Sequence, residues 1–223
     1  MSDENTPLPI RPLHDVWLKP RRVFRELSDR PLGGGDYLLA AAQGVVSWLA
    51  LSRAQSAGAG SDVATIFGRA LLYGPIAGVL GIHLMAAVYA RLGSRAGGAS
   101  SRNAVFHVLA YSGVPMLVSL GVWVLTALLV GRATFMEKPP ADLESFPALL
   151  LQAQFVLHLC LAAWGLLLQV MGFSEVQGLA TRRAFAIWVL GQVLVLVALV
   201  VLSVLVYSLL LGMLPPGSVP MPK

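Results

Sequence analysis

Five long apolar runs, at about 37–52, 70–90, 104–130, 147–173 and 184–214, are separated by short arginine-bearing loops. A helix needs about 20 apolar residues to cross the hydrocarbon core of a bilayer, and the last four runs reach that length. The first is shorter and bracketed by Asp36 and Arg53; a short span is tolerated at modest cost. A buried helix of a large soluble protein would explain one such run but not five in 223 residues. Only 12% of the residues are charged, against about 25% in a soluble domain, so no polar shell remains to cover them. The expected fold class is therefore all-α and integral to a membrane. It is a bundle of five transmembrane helices over residues 13–214, forming one domain.

The start of the chain, 1–12, carries Asp3, Glu4 and three prolines, and lacks the apolar core of a signal peptide. It reads as a disordered polar tail, and 215–223 as a short outer tail. The loops alternate in charge. The first, third and fifth non-membrane segments hold eleven Lys and Arg residues; the second, fourth and sixth hold five. Cationic loops stay on the cytoplasmic side, which places the N-terminus inside and the C-terminus outside. The net charge of +5 is thus a topology signal. It is no sign of nucleic-acid binding, because no basic stripe is interleaved with stacking aromatics.

Residues 13–29 are too short and too polar to span. Val16, Trp17, Val23, Phe24 and Leu27 recur near helical spacing, with Lys19, Arg21, Arg22 and Arg25 between them. That pattern predicts an interfacial helix, with Trp17 and Phe24 toward the acyl boundary and Arg21, Arg22 and Arg25 toward anionic headgroups or a partner. The alternative is a helix docked on the protein's own face. Arg182 and Arg183, in the link between the last two runs, fall on the same side and join this set. Glu175, in that link, is a candidate partner for one of these arginines.

No charged residue lies well inside a run, which argues against an ion-coupled pump. The polar groups that remain are Gln43, His83, His107, Gln152, Gln154, His158, Gln169 and Gln192. Their ordinary role is hydrogen bonding between helices. His83, His107, Gln154 and His158 are also the set that would line a solute path. The histidines lack the one-turn spacing of a ligand pair, so no metal is expected. The lone cysteine, Cys160, reads as a packing residue. Gly74 and Gly78 form a GxxxG notch for close helix approach, within the bundle or in a homo-oligomer. Pro75 and Pro115 are expected to bend their helices. Catalytic constellations and cofactor motifs are absent from the sequence.

Three stretches together resemble the Yip family, the Ypt/Rab-interacting-protein domain. The first is 20–27, with Pro20, Phe24 and Leu27 ahead of the glycines at 33–35. The second is 105–115, with Phe106, Leu109, Ala110, Tyr111, Ser112 and Pro115. The third is 172–179, with Gly172, Glu175, Val176, Gly178 and Leu179, followed by Ala184. Gln177 stands where the family often has histidine. The resemblance covers the chain from about Trp17 into the last run, and implies five spans with a cytoplasmic N-terminus. Eukaryotic members bind Rab GTPases, whereas bacterial members have no Rab system, so Rab binding is not carried over. With 13 Arg against 3 Lys, the composition points to the bacterial branch and the inner membrane. The expectation is a non-enzymatic scaffold or adaptor contacting anionic lipid headgroups or a membrane-protein partner. The alternative is a passive channel or facilitator for a small solute.

Overall fold

The computed structural model describes residues 11–213 except 100, 139, 141, 142 and 144. All but the last two residues of the expected N-terminal tail, and the whole of 215–223, lie outside these. The described residues form helices and no strand. They are α1 (Pro12–Leu18), α2 (Pro20–Leu27), α3 (Gly34–Ala54), α4 (Val63–Arg95), α5 (Arg102–Ser112), α6 (Val114–Val130), α7 (Ser145–Gln177) and α8 (Thr181–Met213). Short 3-10 turns follow α3 and α6.

Four units are long and apolar enough to cross a membrane: α4, the α5–α6 pair, α7 and α8. At 33 residues each, α4 and α7 would reach about 50 Å. The first run, in α3, is helical for 21 residues but falls below that apolarity. Leucines and valines of α4, α7 and α8 stand open on the outer surface of the bundle. In α8 the exposed positions go round the helix, at Val193, Leu194, Leu196, Val197 and from Val200 to Leu205. A helix apolar on every side and lacking protein cover belongs in lipid. Cys160, expected as a packing residue, is exposed on the flank of α7. That position is soluble in lipid, so the thiol needs no cavity.

The α3–α4 pair is held by missing side chains. A Cβ on Gly44 would collide with the carbonyl oxygen of Gly74, and one on Gly78 with that of Ala40. A Cβ on Gly74 would sit 2.7 Å from Val45 Cα. The two helices run antiparallel with backbones in contact, which only small residues permit. The GxxxG of Gly74 and Gly78 is therefore consumed inside the chain and is not offered to a second copy. Pro75 lies within this contact, and α4 continues through it as one helix.

The third run behaves differently from the single bent span expected of it. It breaks at Gly113 into two helices, with Pro115 in the first turn of α6, where a missing N–H costs nothing. A break strands carbonyls in an apolar medium, and Gln43 of α3 answers one of them. Its Nε2 donates to Ala110 O at 2.6 Å, and its amide packs where a side chain on Gly113 would have been. Gln43→Leu removes that donor. The expected loss is about 1 kcal/mol, measurable as a lowered thermal midpoint of the purified protein with its helical content intact.

Candidate functional site

The helices define two ends of the bundle. One carries α1, α2, the turn at 96–99 and the α7–α8 link, and is called here the α2 end; the far end carries the turns after α3 and α6. At the α2 end the three family-like stretches meet. Phe24 and Val23 are fully buried, and Leu27 nearly so. Phe24 fits where Gly172 has no side chain: a Cβ there would lie 2.6 Å from Val108 Cγ1 and 3.0 Å from the Phe24 ring. One residue from each stretch thus shares a single contact.

Charge reinforces this docking. Glu175, near the end of α7, accepts from Arg25 at 2.7 Å and lies 4.0 Å from Arg21. The carboxylate is largely buried, while Arg25 and Arg21 keep 73% and 55% of their side chains exposed. Arg22 bonds instead to Glu26, one turn ahead, at 2.7 Å. The remaining residues of the third stretch close the α7–α8 link. Gly178 adopts φ +62°, which suits glycine at a helix C-terminus. Leu179 N donates to Ser174 O at 3.1 Å, and Ser174 Oγ to Leu179 O at 2.8 Å. Gln177, where the family often has histidine, lies over Gly93 and donates to Tyr89 O at 3.3 Å. In the exposed α1, Asp15 is held below the usual carboxylate range by the His14 ring and then by the Arg11 backbone N–H.

Several expected site residues sit elsewhere than the sequence reading placed them. Phe24 is spent inside the protein and cannot reach an acyl boundary. A ring with two packing partners and no exposed face gains nothing from lipid. Trp17 is half-buried against the same core. The docked alternative describes α2. Arg182 and Arg183 are exposed at the start of α8 beside Ala180 and Ala186, in a groove of about 410 Å³. Neither pairs with a carboxylate among the described residues.

The polar set proposed for a solute path does not converge. His83 lies at the α2 end, 3.2 Å from the Arg102 guanidinium and against Phe106. His107 is buried there too, with Nε2 donating to Arg30 O at 3.2 Å. Gln154 and His158 lie in the far half, beside Trp123. A crevice of about 370 Å³ on the flank of α3 and α4 has Gln43, Ser47 and Gln169 in its lining and touches none of the four. Among the described residues no three His, Cys, Asp or Glu side chains are grouped to hold a metal.

The residue that sequence reasoning passed over is Asp36. It read as the polar bracket of the first run, yet it is 6% exposed. Oδ2 caps α3 by accepting from Gly33 N at 2.7 Å, and Oδ1 lies 3.3 Å from His107 Nδ1. An aspartate three residues into a glycine-led helix was the available signal.

Glu175→Gln isolates the ionic part of the docking. Because the arginines are largely solvated, the expected loss is about 1 kcal/mol. Hydrogen exchange across 12–30 is expected to speed up while the rest of the bundle is unchanged; exchange at the native rate would remove Glu175 as the clasp.

The Yip1 domain model matches residues 15–205 of the chain. No curated protein and no solved structure matches it.

Proposed function

Because the chain belongs to the Yip1 domain family, we propose that it is a non-enzymatic scaffold or adaptor of the bacterial inner membrane. In this reading it spans five times, with α3 as the first and least apolar span. The N-terminus is cytoplasmic, the C-terminus periplasmic, and the α2 end faces the cytoplasm. The observation that carries the reading is the meeting of the three family stretches at the α2 end. They build no reaction centre; they fix a basic surface. Docking Phe24 under Gly172 turns Arg21 and Arg25 outward at the same end of the bundle as the exposed Arg182 and Arg183. A rigid display of cations at the membrane plane recruits anionic headgroups or an acidic partner. Arg21 and Arg25 share Glu175, which leaves Arg182 and Arg183 as the stronger contributors. The separation of His83 and His107 from Gln154 and His158 gives the solute-path alternative no support.

Each cation near an anionic surface contributes about 1 kcal/mol. Arg182→Gln with Arg183→Gln is therefore expected to lower the affinity for anionic lipid carried with the protein by about thirtyfold. Lipid analysis of polymer-extracted native discs measures it. An unchanged anionic share, together with an unchanged set of crosslinked membrane partners, would refute the role of this surface.

A further inference from the structure

The far end of the bundle holds two opposite charges that no ion pair among the described residues uses. Arg53, half-buried at the end of α3, and Glu137, exposed after the 3-10 turn that follows α6, line one pocket of about 360 Å³. They form no ion pair with each other or with any other described residue. Two more polar atoms belong to residues lining this pocket and also lack partners: Trp123 Nε1, in a residue 2% exposed, and His158 Nε2. The two rings meet edge to face at 5.2 Å. His158 Nδ1 is 2.7 Å from Gln154 O. A carbonyl accepts only, so Nδ1 donates there and Nε2 is the ring nitrogen left to accept.

The site therefore offers two donors, Arg53 and Trp123, and two acceptors, Glu137 and His158. A buried indole N–H with no acceptor is costly, and a half-buried guanidinium favours a bidentate oxyanion. A second pocket of about 470 Å³ shares Arg53 and Phe155 and continues over Leu151 and Val156. Phe155 and Val156 are 60% and 57% exposed, an apolar track leading away from the charges. Oxyanion, ammonium and hydrocarbon are thus each provided for. A free phosphate would leave the acceptors and the track unused, and an anionic lipid would meet Glu137 unfavourably.

We propose that this site binds a phospholipid whose headgroup carries a phosphate and a primary ammonium. The phosphate takes Arg53 and Trp123 Nε1, the ammonium takes Glu137 and His158 Nε2, and an acyl chain follows Phe155 and Val156. The assignment rests on the membrane reading but not on the basic surface, which lies at the opposite end.

Native mass spectrometry of the full-length protein in detergent tests it, with phosphatidylethanolamine, phosphatidylglycerol and phosphatidylcholine of equal chain length added together. The ethanolamine lipid is expected to be retained about fivefold over the other two. Glu137→Gln, which alters an exposed side chain, should erase the margin over phosphatidylglycerol. Arg53→Gln should lower all three, and the Arg182/Arg183 double variant should keep the wild-type preference. Equal retention of the three lipids by the wild type, or a preference untouched by Glu137→Gln, would overturn the proposal. So would full displacement by chain-free glycerophosphoethanolamine, which would make the ligand a soluble phosphoamine instead.

Discussion

Phe24→Ala is expected to cost about 3–5 kcal/mol and to free α2 from the bundle. The ring is fully buried between Val108 of α5 and the backbone notch at Gly172 of α7. Truncation leaves a cavity walled by helices that cannot close on it, because Gly172 has no side chain to move inward. With the ring gone, the Arg21 and Arg25 pairs to Glu175 are too solvated to hold the segment. Limited proteolysis reads the outcome: cleavage at Arg21, Arg22 and Arg25 should become rapid, while α4 to α8 stay protected by detergent. Trp17→Ala, at a half-buried position, should show a much smaller change. A segment as resistant as wild type in the Phe24 variant would mean that α2 is held by something other than its apolar face.

Gly44→Val should be damaging for a different reason. Its Cβ would overlap the carbonyl oxygen of Gly74 and fall 2.7 Å from the Gly78 backbone. Backbone cannot rotate away as a side chain can, so α3 and α4 must part. Overpacking commonly costs about 1–3 kcal/mol, and a backbone obstacle places this case at or beyond the upper end. The contact is also lost by neighbours, since Ala40, Val45 and Gly78 share the seam. The expected phenotype is loss of monodisperse protein on size exclusion after extraction. Gly34→Ala, at a glycine with open space around it, is the matched control and should behave as wild type. A well-folded Gly44→Val protein would require a looser α3–α4 seam than the one described.

Much of this architecture could be read in the residue order because a bilayer leaves a chain few options. The four longer runs are helices at nearly their expected positions, and the Gly74–Gly78 notch receives a neighbouring helix. Glu175 pairs with arginines of the expected set, although it lies in the last turn of α7 and not in the link. What escaped depended on a neighbour remote in the sequence. Phe24 reads the same whether its ring meets lipid or Gly172, and only the approach of α7 decides between them. The break at Gly113 is legible from Pro115 only in part; its repair by Gln43 comes from α3, 67 residues away from Ala110. Asp36 marks a helix start in sequence, whereas its burial depends on His107 arriving from α5. The four residues of the imagined solute path differ in the height at which each helix presents them, and a linear reading does not contain that coordinate.

The clasp between Arg25 and Glu175 closes a loop of 150 residues, and that distance sets an order of events during synthesis. At about 5–20 residues per second, a ribosome that has just made α2 needs roughly 8–30 seconds more before the carboxylate and the Gly172 notch exist. Until then the nascent chain must carry an amphipathic, cationic N-terminal helix with nowhere to sit. An element translated early is thus among the last to be seated, and its arrival requires that α7 already stands in register against α5.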